Sequence, residues 1–118
     1  MSGPVVYGIP NCDTVKKARA WLAARGVQHR FHDFKKDGVP AERLERWLAE
    51  AGHGRLVNRR GTAWRALDAA VQASVVDAPS AAAVLRAHAS VIKRPVVEWP
   101  DGALTVGFDE AEWQTRLR

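Results

Sequence analysis

Cys12 is the residue of this chain whose type and position most directly predict chemistry. It stands immediately before a segment, Thr14 to Arg25, whose apolar residues recur at helical spacing. A cysteine at a helix start faces unpaired backbone amides and the positive end of the helix dipole, which favour the nucleophilic thiolate. Lone cysteines are more often small buried hydrophobes. The polar neighbours Asn11 and Asp13 favour the reactive interpretation here.

The chain of 118 residues has one cysteine, so Cys12 has no internal thiol partner. Val15 occupies the position that a second cysteine takes in a Cys-x-x-Cys pair. An oxidised Cys12 must therefore be restored by an outside thiol. Asn11 offers a side-chain hydrogen bond near the sulfur, and Lys16 and Lys17 add positive potential one turn into the helix.

Positive charge concentrates in the middle of the chain and just before its last predicted strands. The residues are Arg55, Arg59, Arg60, Arg65, Lys93 and Arg94. Guanidinium groups bind oxyanions and carboxylates bidentately, although a solvated basic face explains most of these residues equally well. Arg94 differs because Pro95 follows it directly before a strand. An X-Pro bond there can be cis and would aim the preceding residue at a site, but the sequence leaves the isomer open.

Two histidines have a spacing that could ligate a metal on a helix. His29 and His32 are three residues apart, with Asp33 beside them. In a strand, however, they would point to opposite faces of the sheet. We therefore predict no metal site and no tightly bound cofactor.

The first third of the chain alternates strand and helix around Cys12. The predicted elements are a strand at residues 5–7 ended by Gly8, a helix at 14–25 capped by Gly26, a strand at 28–33, a turn at 35–38, and a helix that begins at Pro40 as its first residue and stops at Gly52. Cys12 thus falls in the loop between the first strand and the first helix, a position that often carries catalytic residues.

The remainder of the chain predicts a helical middle followed by a pair of strands. The elements are a loop at 55–61, two short helices within 62–77, a helix capped by Ser80, strands at 96–99 and 104–106, and a last helix opened by Asp109 with Glu112 in a capping box. The turn of Pro100, Asp101 and Gly102 joins the strands as an antiparallel hairpin. This order predicts one α/β domain over residues 1–118, with a thioredoxin-like fold and a helical insertion at about 40–90.

Composition narrows the function classes further. The hydrophobic fraction of 47% is ordinary for a globular protein, and no apolar run is long enough to span a membrane. A net charge of +5 with a pI near 10 favours an anionic partner. Basic and aromatic residues do not interleave as in nucleic-acid binding domains, so no nucleic-acid partner is expected. A lone thiol suits a reducing compartment, and we expect the cytoplasm.

Three segments in order resemble the arsenate reductase (ArsC) family, especially its YffB branch. The first is Tyr7, Gly8, Ile9, Pro10, Asn11, Cys12, Asp13 and Thr14, followed by Lys16, Lys17, Ala18 and Arg19. The second is Asn58, Arg59, Arg60, Gly61, Thr62, Ala63 and Trp64, and the third is Lys93, Arg94, Pro95, Val96 and Val97. Together they span nearly the whole chain.

The resemblance implies a thioredoxin-like fold with a helical insertion, a catalytic cysteine at Cys12 and a cis proline at Pro95. It also implies that Arg94 binds an anion and that glutathione or glutaredoxin supplies the outside thiol. Asn58 aligns with a second family arginine, for which Arg59 or Arg60 can substitute. A third family arginine belongs in the return strand and beyond, where residues 104–108 contain no basic residue.

The sequence therefore predicts a thiol-dependent reductase, with glutathione as co-substrate and a small anionic or disulfide substrate. Cys12 and Arg94 are the predicted catalytic residues, and the predicted substrate-binding residues are Asn11, Asn58, Arg59, Arg60 and Pro95. Robust arsenate reduction is not expected, since only part of the arginine set is present. The alternative is a regulatory module resembling Spx, another relative, that docks a protein such as RNA polymerase.

Overall fold

A computed structural model describes residues 3–117 of the chain, and these separate into two compact units. The first unit contains residues 3–32 and 94–117, and the second contains residues 33–93. The helical segment expected at about 40–90 lies within the second unit, which begins earlier, at Asp33. That the whole chain acts as one domain stays a prediction.

The sheet is four-stranded, with its strands in the order β2-β1-β3-β4. The strands are β1 (Val5–Gly8), β2 (Arg30–Asp33), β3 (Val96–Glu98) and β4 (Leu104–Val106). Strand β3 pairs antiparallel with both β1 and β4, which confirms the predicted hairpin. In this register Tyr7 lies opposite Val96, and Val96 lies opposite Val106.

Helices α1 (Asp13–Ala24) and α8 (Glu110–Arg116) belong to the same unit as most of the sheet. Its hydrophobic core combines the valines of β1 and β3 with the apolar face of α1, and its members are Val6, Ala18, Trp21, Leu22, Val97, Trp99 and Trp113. The indole of Trp113 is fully buried and meets Trp99 edge-on, with ring centroids 5.1 Å apart. This aromatic core fixes α1, and with it the position of Cys12, relative to the sheet.

The start of α8 and the end of α1 lie where the capping residues of the sequence predict them. The Asp109 carboxylate accepts a hydrogen bond from the Glu112 amide, 3.1 Å away, and so caps α8. Gly26 follows the C-cap of α1 with φ of +69°, a conformation that favours glycine.

The second unit is helical. Its helices are α2 (Phe34–Asp37), α3 (Ala41–Ala51), α4 (His53–Leu56), α5 (Thr62–Arg65), α6 (Ala69–Ser74) and α7 (Ala78–Ala87), followed by a 3-10 helix (Ala89–Val91). Helix α3 packs against α7, and a lone antiparallel bridge joins Val57 to Ile92. Phe34 and Trp47 are buried against each other, with ring centroids 6.1 Å apart.

Several boundaries in this unit differ from the sequence predictions. Asp77, not Ser80, is the N-cap of α7, and Ser80 is the third helical residue of a capping box. Its hydroxyl and backbone hydrogen-bond back to Asp77, so the capping signal belongs to the pair. Pro40 is likewise the N-cap of α3 rather than its first residue.

Two segments predicted as turn or loop contain a single turn of helix. The 35–38 segment contains most of α2, which Asp33 caps by accepting from the Lys35 amide at 2.8 Å. The 55–61 segment starts within α4. None of the helices within residues 3–117 combines the length and the apolar composition that a membrane span requires.

Candidate active site

Cys12 is the N-cap residue of α1. Its backbone is extended (φ −141°, ψ 122°), and its carbonyl accepts the first helical hydrogen bond from the Lys16 amide at 2.9 Å. The residue follows directly on the loop after β1 and is partly exposed. A thiol here is open to a substrate while it remains beside the free amides of the helix.

The environment of Cys12 favours its thiolate. Burial raises the pKa of the thiol, but the backbone amide of Val15, the hydrogen bond and charge of Arg94, and the amide of Thr14 lower it, and the net pKa lies below the ordinary value. The amides therefore act by stabilising the negative sulfur, as expected at a helix N-terminus.

Arg94 reaches Cys12 because of the sheet register. Strand β1 ends and β3 begins at the same end of the sheet, since the two strands are antiparallel and Tyr7 pairs with Val96. The loop with Cys12 leaves one strand there, and Arg94 and Pro95 enter the other. The Arg94–Pro95 bond is cis, and the Pro95 carbonyl accepts a hydrogen bond from the Gly107 amide at 2.9 Å.

The end of β4 lies at the same end of the sheet, because Val96 pairs with Val106 and Gly107 bonds to Pro95. The sequence resemblance predicts a third family arginine in this region, but residues 104–108 contain no basic residue. Phe108 instead packs on Trp113, with centroids 4.7 Å apart. This part of the site thus contributes apolar surface rather than a cation.

Other predicted residues of this unit are less engaged with the sulfur. Asn11 is exposed beside Cys12. Lys16 and Lys17 are also exposed, and the lowering of the Cys12 pKa comes from Arg94 and backbone amides rather than from them. In the sequence, Val15 is an apolar residue of the first predicted helix and the position that lacks a second cysteine, and neither property indicates a role at the sulfur. Its third position in the helix was the signal that its amide faces the N-cap side chain.

Asn58, Arg59 and Arg60 lie in the second unit, on the turn before α5. The Asn58 amide donates to Val91 at 2.8 Å, and a Cβ on Gly61 would fall 2.8 Å from Asn58 Nδ2, so this side chain packs on the turn. The Arg59 guanidinium lies 5.2 Å from the centroid of the Trp64 ring, which is half-buried. The Arg60 carbonyl accepts from the Arg65 side chain at 2.6 Å.

The two histidines have separate partners. Arg19 Nε donates to His29 Nε2 at 3.2 Å, and the Arg19 guanidinium stacks on Phe31 at 4.1 Å from the ring centroid. The His32 ring packs on Tyr7, 5.2 Å between centroids. Each imidazole thus has its own packing role.

A four-stranded sheet, a cysteine at the N-cap of the first helix and an arginine before a cis proline together define a thioredoxin-like protein. Residues 7–116 match the ArsC family. The chain belongs to this family and has the fold of its thiol-dependent reductases.

Solved structures and curated relatives agree with this assignment. The structure of the YffB protein is 43% identical and superposes with a TM-score of 0.91, covering 98% of this chain and 99% of that one. An arsenate reductase (ArsC) related protein from Brucella melitensis is 46% identical, with a TM-score of 0.75 over 100% of this chain and 96% of that one.

An uncharacterised protein of Haemophilus influenzae is 44% identical over 92% of this chain and 94% of its own length. The global transcriptional regulator Spx of Lactiplantibacillus plantarum is a more distant relative. It is 23% identical over 92% of this chain and 81% of its own length.

Proposed function

We propose that this protein is a glutathione-dependent thiol reductase in which Cys12 is the nucleophile and Arg94 stabilises negative charge on sulfur. The observation that carries the proposal is the lowered pKa of a partly exposed thiol at a helix N-cap beside Arg94. A thiolate, not a thiol, attacks electrophilic sulfur, so this environment prepares the residue for reaction near neutral pH.

The first step forms a mixed disulfide. The Cys12 thiolate attacks the glutathione sulfur of a mixed disulfide between glutathione and a second thiol. The new S–S bond joins Cys12 to glutathione, and the second thiol leaves as a thiolate that takes a proton from water. Arg94 and the Val15 amide stabilise the negative charge on the Cys12 sulfur before the attack and while the new S–S bond forms.

The second step needs an outside thiol, because the chain has one cysteine. A glutathione thiolate attacks the glutathione sulfur bound to Cys12, releases oxidised glutathione and regenerates the Cys12 thiolate. Glutaredoxin is the alternative donor in this step. The same nucleophile could attack an oxyanion centre, but residues 104–108 supply no further cation, so we propose a disulfide rather than arsenate as the main substrate.

The test is turnover of a small glutathione mixed disulfide, followed through NADPH oxidation by glutathione reductase. We expect Cys12→Ser to abolish turnover, while Ser74→Ala, a change at an exposed residue of α6, leaves it unchanged. A parallel assay with arsenate should show much lower turnover. Equal rates for the wild type and Cys12→Ser would refute the proposal.

Asn11, Asn58, Arg59, Arg60 and Pro95 stay proposed substrate-binding residues. Replacing Arg59 and Arg60 separately by glutamine tests whether either substitutes for the family arginine that aligns with Asn58. A rise in KM with an unchanged kcat would assign a binding role. We also propose a cytoplasmic location, where glutathione is abundant and reducing.

A regulatory module is the second candidate, and the similarity to Spx favours it. Such a module would dock a protein such as RNA polymerase, with Cys12 inert or acting as a sensor. Cys12→Ser would then still bind its partner and, where Cys12 is inert, keep its cellular effect. Loss of both glutathione-dependent turnover and the cellular effect in this variant would assign the enzymatic function instead.

A further inference from the structure

We infer that Gly8 is a positioning residue for Cys12, because the missing side chain at the end of β1 lets the first turn of α1 sit against the strand. Gly8 is buried, and a Cβ built on it would fall 2.9 Å from Cγ2 and 3.5 Å from Cγ1 of Val15. Ordinary contact requires at least about 3.4 Å, so an alanine would push Val15 and Gly8 apart by about half an ångström. This inference rests on the proposed role of Cys12.

Val15 has little freedom to yield. Its side chain is fully buried in the core. The same Cβ would also contact the ring of Phe31, at 3.8 Å. Packed interiors transmit such an overlap to the backbone rather than absorb it. The displaced backbone is the first turn of α1, whose Val15 amide is directed at the Cys12 sulfur.

Strand β1 also positions Arg94, the second group that stabilises the Cys12 thiolate. Its register with β3, Tyr7 opposite Val96, sets where Arg94 enters the site. A side chain on Gly8 would move α1 relative to β1 and β3. The sulfur would then lose alignment with the helix amides and with Arg94 together, although neither Cys12 nor Arg94 is altered.

The experiment measures the thiolate of Cys12 by its ultraviolet absorbance as a function of pH, which does not depend on any reductase activity. We expect Gly8→Ala to move the titration midpoint upward and to lower the thiolate fraction below the midpoint at least twofold. The double variant Gly8→Ala with Val15→Ala removes the clashing methyl groups and should restore the wild-type profile. Gly54→Ala is the matched control, since its Cβ would meet nothing within 4 Å.

Val15→Ile adds a methyl group on the helix side of the same contact. It keeps the inference testable if Gly8→Ala does not fold. It should also raise the midpoint. A wild-type profile in folded Gly8→Ala or, if that variant is unfolded, in Val15→Ile would overturn the inference, as would failure of the double variant to restore the profile. A low wild-type midpoint without turnover would refute the proposed function but not the positioning role.

Discussion

Replacing Arg94 by glutamine should suppress ionisation of Cys12. Arg94 lowers the pKa of the thiol through a side-chain hydrogen bond and through its charge, against the effect of burial, which raises it. Arg94→Gln removes the charge and leaves the Val15 and Thr14 amides in place. Since burial still opposes the charged form, the pKa of Cys12 rises in the variant.

The size of the effect follows from the kind of contact that is lost. A hydrogen bond to a charged group contributes about 1.5–3 kcal/mol, and the partial exposure of Cys12 puts it at the low end, because solvent screens the charge. About 1.4 kcal/mol is a tenfold fall in thiolate fraction below the titration midpoint. A thiolate of higher pKa is a stronger nucleophile, and for a tenfold change this raises the rate per thiolate about threefold. The observed alkylation rate should therefore fall only about threefold.

The assay compares thiolate absorbance with the rate of iodoacetamide alkylation at one pH below the wild-type midpoint, using circular dichroism to confirm folding. Lys16→Gln is the matched control, because Lys16 is an exposed cation on α1 that does not contribute to the lowered pKa. Arg94→Lys keeps the charge and should be intermediate. A thiolate fraction in folded Arg94→Gln within twofold of the wild type would refute this reasoning.

Three further predictions test the site and its support. The alkylation rate of native protein should reach half its maximum at a lower pH than in 8 M urea, where Cys12 takes the ordinary pKa of about 8.5; coincident profiles would contradict a lowered pKa. Burial and the Arg19 charge lower the pKa of His29 despite an opposing Val27 hydrogen bond, so stability present above pH 6.5 should fall as pH drops below it. His29→Gln should flatten this dependence in urea titrations, and because His29 is only half-buried and solvent screens its charge, the change should be below about 1 kcal/mol. Trp113→Ala should cost about 3–5 kcal/mol in the same assay, since the ring is fully buried, whereas a loss under 1 kcal/mol would show that the aromatic core does not support the unit.

The parts of the fold that sequence predicts well are those with local causes. The helix after Cys12, the Asp109 cap and the hairpin turn depend on residues within a few positions of one another, and the structure confirms all three. Serine is a good N-cap, so the sequence favours Ser80 as the cap of α7, but Asp77 three residues earlier competes for the same role and completes the box.

The parts that sequence could not predict depend on long-range geometry. Arg94 follows Cys12 by 82 positions, and only the β1–β3 register brings it to the sulfur. The cis state of Pro95 and the close approach of Gly8 to Val15 likewise need the assembled sheet. The family resemblance predicts the roles of Arg94 and Pro95. The contribution of the Val15 amide is a backbone property, so the residue type at position 15 does not indicate it.

The charge balance at Cys12 bears on which substrate this site can serve. The guanidinium of Arg94 is already engaged with the sulfur, and it contributes to ionisation at rest. Attack on a disulfide moves one negative charge from Cys12 to the leaving sulfur, so the same cation can follow it without a second one. Attack on an arsenate dianion adds charge beside the thiolate, and like charges at such distances repel strongly outside bulk water. The apolar end of β4 and Phe108 offer that charge no partner. Val106→Arg should therefore raise arsenate turnover far more than disulfide turnover. Equal gains on both substrates would argue that charge does not set the preference for disulfides.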